Sequence, residues 1–133
     1  MKGETSHLPT GFPSPALDYM EDRIDLNREY IKHPLATFFA ENVGDSMVNA
    51  FIPPQSKLII DRSLTPKNGD IILAVLNGEF IVRFLKKNPI RSWLCPANNK
   101  YKDIEITPDL DFKVWGVVTA IITHSNDVRK CML

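Results

Sequence analysis

Two apolar runs flank an Asn-Gly pair in "NGDIILAVLNGEFIVRFLKK", residues 68 to 87, and no other stretch limits the possible folds as much. Asn-Gly tolerates positive φ at both central positions of a two-residue turn, so Asn77-Gly78 predicts a type I′ β-hairpin. On its second strand Phe80, Val82 and Phe84 fall on one face, and Ile81, Arg83 and Leu85 on the other. Both faces are apolar, which predicts a strand covered on both sides. Arg83 is then a cation among aliphatic neighbours, an expensive position without a partner. Two explanations stand. Either its head snorkels to the surface or pairs with a carboxylate, or the position belongs to a site built around Ser46.

The texture on either side is also β. "ATFFAENV" is a strand candidate, "KLIID" follows the Pro53-Pro54 turn, and "RSWLCP", "DIEI" and "FKVWGVVTAIITH" complete the set. Strict alternation in the last of these places Val114, Gly116, Val118, Ala120 and Ile122 on one face and Trp115, Val117, Thr119 and Ile121 on the other. At least six short strands with little helix predict a mainly β fold, a compact domain with a bent or partly closed sheet. "DLNREYIKHP" predicts one short helix, with Asp25 as N-cap and His33-Pro34 as its stop. Residues 1–23 read as an N-terminal arm. "HLPTGFPSPALDYMEDR" carries three of the ten prolines, and Pro-Ser-Pro imposes extended geometry. Residues 24–133 read as the domain.

Composition excludes several classes. At 133 residues the chain is one domain in size, and its 16 basic residues balance its 16 acidic ones. A direct DNA binder normally shows a basic surplus on one face. Neither that nor a helix-turn-helix pattern is present, so no direct sequence-specific DNA binding is expected. No apolar run reaches the ~18 residues of a membrane span, and "MKGETSHLPT" is not a signal peptide, so a cytoplasmic protein without membrane contact is expected. Cys95 and Cys131 lack metal-ligand spacing and read as reduced thiols. His7, His33 and His124 stand singly and read as surface or packing residues, with no metal or cofactor implied.

"ENVGDSMVNAF", residues 41 to 51, places Ser46 on a tight Gly-Asp corner between apolar residues. Gly-Asp-Ser is ordinary turn chemistry. It becomes a nucleophile only if something nearby can take the hydroxyl proton.

"GFPSPALDYMEDRIDLN", "GDSM", "NGDIILAVLNGEFIV", "PANNKY" and "VWGVV", taken together and in this order, resemble the UmuD family of SOS mutagenesis proteins. That family shares the peptidase domain of LexA and phage repressors. The likeness runs without gaps from about Gly11 to Val118. It implies a β-rich cytoplasmic homodimer with a mobile arm, which the protein cuts from itself on meeting the RecA–single-stranded DNA filament. The shortened form then joins the Y-family polymerase subunit UmuC. It implies further that the nucleophile is Ser46, and that the general base is a lysine on the strand after "GEF".

That lysine position holds Arg83, at the family spacing of 37 residues from Ser46. A Ser-Lys pair works because burial lowers the ammonium pKa and frees a neutral amine. Arginine remains protonated in proteins and donates only. Lys86 faces the other side of the strand and Lys87 lies four residues beyond Arg83, so neither is an obvious substitute. The bond equivalent to the family's Ala-Gly or Cys-Gly cut site is Thr10-Gly11, the arm before it is ten residues, and "PPQSKLI" replaces the usual Gly-Asp before the second strand. These departures concern self-cleavage and leave the body's pattern intact. The expected function is therefore a UmuD-like accessory subunit in translesion synthesis with impaired self-cleavage. The alternatives are a working self-cleaving peptidase and, third, a phage repressor fragment without its DNA-binding domain.

Overall fold

The computed structural model describes residues 23–132. The Pro-rich arm and the Thr10-Gly11 bond lie outside the described residues. Two compact units divide between Lys32 and His33. The described part of the first holds helix α1, Leu26–Tyr30. Asp25 caps it as its residue type predicts, its carboxylate accepting from the backbone N–H groups of Asn27 and Arg28 at 3.1 and 3.3 Å. The helix ends when Ile31 turns extended, three residues ahead of Pro34, which instead opens a 3₁₀ turn in the second unit.

The second unit is built from β1 (Thr37–Glu41), β2 (Lys57–Asp61), β3 (Ile71–Leu76), β4 (Glu79–Lys87), β5 (Ser92–Cys95), β6 (Ile104–Glu105) and β7 (Phe112–Ile122). They form one antiparallel sheet in the order β1-β2-β7-β3-β4-β5-β6, open at β1 and β6. The mainly β expectation holds, with seven strands. Asn77 and Gly78 adopt φ of 51° and 86°, as a type I′ turn requires, and they set Ile71 opposite Phe84 and Leu76 opposite Glu79.

The hairpin is buried on both faces. Leu73 and Val82 pack with Met47, Ile52, Leu58 and Ile60 in one cluster, while Ile72, Ala74 and Leu85 pack with Leu94 and Val117 in the other. Each fully buried aliphatic side chain contributes about 1.5–3 kcal/mol, so β3 and β4 are anchored from two directions. β4 is longer than its cover. Phe84–Lys87 pair with β5, but Glu79–Arg83 face no strand on that side among the described residues.

Strict alternation fails in β7. Pairing slips by one residue at Trp115, between Val114 and Gly116, and again at Thr119, between Val118 and Ala120. Each extra residue is a β-bulge that turns the following side chains to the other face. Trp115, Val118 and Ile121 therefore pack on the first cluster together, and Val114 and Val117 on the second. His33 also departs from a purely packing role. Its Nδ1 lies 2.5 Å from the buried Asp61 carboxylate, which also accepts from the Ser63 amide and hydroxyl. Both cysteines are free thiols, and no described helix is long and apolar enough to cross a membrane.

Gly116 lies beside the first bulge, where β7 presses on β2. A Cβ there would meet Ile60 Cγ2 at 2.5 Å, and Ile60 is fully buried. Gly116→Ala is expected to destabilise the fold by about 1–3 kcal/mol through overpacking. Urea unfolding measures it; an unchanged midpoint would mean that Ile60 has room to move.

Candidate active site

Ser46 is held by a loop that closes on a buried amide. Asn42, at the end of β1, is 4% exposed. Its backbone N–H donates to Ser56 O, its carbonyl accepts from Gln55 N–H, and its Nδ2 reaches the carbonyls of Gly44, Ile52 and Pro53 at 3.2, 3.4 and 3.1 Å. The stretch from 42 to 56 is thereby pinned at its base. Gly44 sits at φ 90°, a conformation that costs glycine little and L-residues much. Met47, fully buried, nails the turn to the core one residue beyond the serine.

A second segment clamps the corner from outside. The Ala97 N–H donates to Ser46 O, and the Asn49 N–H to Ala97 O, both at 2.8 Å. Asn98 Nδ2 donates to the Asp45 carbonyl, Lys100 Nζ to Asp45 Oδ2 at 2.8 Å, and Tyr101 Oη to Asp45 Oδ1 at 2.6 Å. These bonds, from Lys100 first and Tyr101 second, hold the Asp45 carboxyl below its usual range. The same bonds raise Lys100 and Tyr101, so both keep their protons.

Arg83 enters from β4. Its Nη1 donates to Ser46 Oγ at 2.7 Å and to the Val82 carbonyl at 2.9 Å. The residue is 9% exposed, its Nε is buried without a partner among the described residues, and its head lies 5.7 Å from the Tyr101 ring. Burial pulls the guanidinium below its ordinary value. No carboxylate pairs with it among the described residues. A groove of about 280 Å³ opens here, lined among others by Val43, Ser46, Leu58, Leu73, Phe80 and Arg83.

Comparison with known proteins gives the family. The family model described as "Peptidase S24-like" matches residues 5–119. The chain belongs to the S24-like peptidase family. It is 41% identical over 125 residues to Protein SamA of Salmonella typhimurium, covering 92% of this chain and 86% of that one. Protein MucA of Escherichia coli is 38% identical over 119 residues, covering 88% and 81%. The LexA repressor of Desulfatibacillum aliphaticivorans is 32% identical over 117 residues, covering 86% of this chain and 57% of the repressor. The chain is a UmuD-type member, as the resemblance drawn from its sequence implied.

Within this S24-like site the structure brings Ser46 and Arg83 together. No lysine among the described residues is bonded to Ser46. Lys86 Nζ lies over the Trp93 ring at 5.6 Å, Lys87 is exposed, and Lys100 is fixed on Asp45. The described residues hold no cluster of metal-ligating side chains. Sequence reasoning quoted "PANNKY" without a role for it, and passed over Asn42 altogether. A polar residue closing an apolar strand just before a Gly-Asp turn was the available signal for Asn42.

The Asp45 clamp sets a pH dependence. A carboxyl with a lowered folded-state pKa stabilises above its unfolded value, and that contribution is lost as pH falls through the folded value. NMR titration should find Asp45 ionising below the ordinary aspartate range. Lys100→Ala and Tyr101→Phe should each move that transition upward. Coincident titrations in all three proteins would remove the clamp from this account.

Proposed function

We propose that this chain is a UmuD-type accessory subunit of an error-prone, Y-family translesion polymerase, acting in the SOS response with its self-cleavage impaired. The observation that carries the reading is the direction of one hydrogen bond. Arg83 donates to Ser46 Oγ, where cleavage needs a group that accepts the serine proton. A guanidinium remains a cation even when burial lowers its pKa. Lys100 is no replacement, because Asp45 keeps it protonated. The family body supports the partner-binding role, with a UmuC-like polymerase and the RecA filament as expected partners in the cytoplasm.

Arg83→Lys tests the reading, combined with Thr10→Ala to restore a small residue at the bond. A neutral lysine amine would take the Ser46 proton as Oγ attacks the carbonyl of residue 10. The C–N bond to Gly11 then breaks, that nitrogen takes the proton, and water hydrolyses the ester. Binding the arm to its own site provides a high effective concentration, so even an imperfect base should give product. Mass spectrometry at raised pH, and with RecA filament, should find a fragment beginning at Gly11 from the double variant and none from the unaltered chain. Equal cutting in both would instead favour the working-peptidase reading.

The same proposal includes a homodimer. Phe51 and Val128 line one depression with Ile121 and Cys131, and Phe51, Ile122, Val128 and Met132 are all exposed. Apolar surface of this kind marks an interaction site. Sedimentation at tens of micromolar, a concentration of about the order at which ordinary interfaces are populated, should give twice the chain mass. A monomer would remove the dimer from the proposal.

A further inference from the structure

The β4 group bonded to Ser46, the Arg83 guanidinium, is a donor. Arg83 Nη1 spends its hydrogens on Ser46 Oγ and Val82 O. Its Nε is buried without a partner among the described residues. Ser46 Oγ already accepts from Arg83, so its own O–H is left to donate, and no described acceptor takes it. The backbone N–H groups of Ser46 and Met47 also lack a described acceptor. A largely buried cation with an unpartnered Nε and no carboxylate partner among the described residues is in an unfavourable state that a bound anion would relieve. A carboxylate matches it, because a guanidinium fork and a hydroxyl present the geometry that carboxylate oxygens accept.

The edge of β4 indicates what kind of carboxylate. The Leu85 N–H and carbonyl are both bonded on the β3 side, to Asp70 O and Gly69 N–H at 2.8 and 2.7 Å. Alternate residues therefore turn their backbone groups the other way. Phe84 and Lys86 meet β5, but Phe80 and Val82 present theirs to an edge without a strand among the described residues. An extended peptide can pair there, over an apolar floor of Leu58, Leu73 and the 62%-exposed Phe80. The Arg83 head is bonded to Val82 O on that same edge, so it stands in the path of a paired main chain. A main chain paired with Phe80 would meet the Arg83 head at Val82.

We propose that the Ser46–Arg83 site binds the free C-terminal carboxylate of an extended peptide paired along Phe80 and Val82. This deepens the non-cleaving reading and rests on it, since Arg83 must act as a donor. A serine paired with lysine needs an acceptor at this point; with arginine the same cavity becomes a receptor for what a cut peptide would leave behind.

The test uses the unaltered protein and an N-acetylated peptide with the sequence of residues 5–10, TSHLPT, made as free acid and as C-terminal amide. Amide NMR titration reads affinity and place together. The acid is expected to bind about tenfold or more tightly than the amide, as a charge-assisted hydrogen bond implies. The shifts should centre on Ser46, Phe80 and Val82. Arg83→Gln should bring acid and amide to equal affinity; if that variant does not fold, the acid–amide ratio on the unaltered protein decides alone. Equal binding of acid and amide, no binding of either, or shifts remote from Phe80–Arg83 would overturn the proposal. So would acetate binding as tightly as the peptide acid, which would make this a site for an adventitious ion only. Mass spectrometry of the protein after titration separates the two readings. A chain shortened to Gly11 would sink the non-cleaving reading, while the acid–amide ratio still decides the carboxylate site.

Discussion

The middle of the β3–β4 hairpin is buried on both faces, with Leu73 and Val82 in one apolar cluster and Ile72, Ala74 and Leu85 in the other. That constraint orders much of what surrounds it. It fixes the register through Asn77-Gly78, and it lets one position, Arg83, matter more than its neighbours. On a half-exposed strand an arginine would reach water and do little. Here it is largely buried, finds no carboxylate among the described residues, and turns its head to a serine hydroxyl and its own strand's carbonyl. The buried Nε without a partner records the cost, because such an atom forfeits about 1–3 kcal/mol of hydration.

The serine turn is built independently of that contact. Asn42 closes its base, Met47 roots it in the core, and the Ala97–Tyr101 segment clamps it from outside. None of these groups needs the residue at position 83 to be a base. The scaffold therefore fixes the place of the Ser46 hydroxyl whatever residue faces it, and the residue that does face it, Arg83, is a donor. Such a site retains shape and charge, two properties that serve recognition as well as they serve catalysis.

Much of this was legible in the sequence because it follows from local rules. The hairpin, the Asp25 cap and the strand at "KLIID" are written in turn chemistry and alternation, and the structure reproduces them. The proximity of Ser46 and Arg83 came from the family spacing; residues 37 positions apart carry no local signal of contact. Two things were not legible. The bulges at Trp115 and Thr119 depend on how β7 must bend between β2 and β3, a tertiary demand that overrides alternation. The Asn42 staple and the Asp45 clamp join segments whose meeting is decided by the sheet, so neither residue type nor spacing announces them.

The place of β7 has a consequence for biosynthesis. It is the last described strand and lies between β2 and β3 in the sheet, pairing with residues from about 36 to about 65 positions earlier. Until Phe112–Ile122 leaves the ribosome, the β1–β2 ribbon and the β3–β6 ribbon have no strand between them, and each shows an unpaired edge rich in isoleucine and leucine. Contacts of such sequence separation form late and slowly, and open apolar edges are where nascent chains stick to one another. Before the final strand arrives, β2 and β3 are thus the edges the nascent chain has to keep from its neighbours.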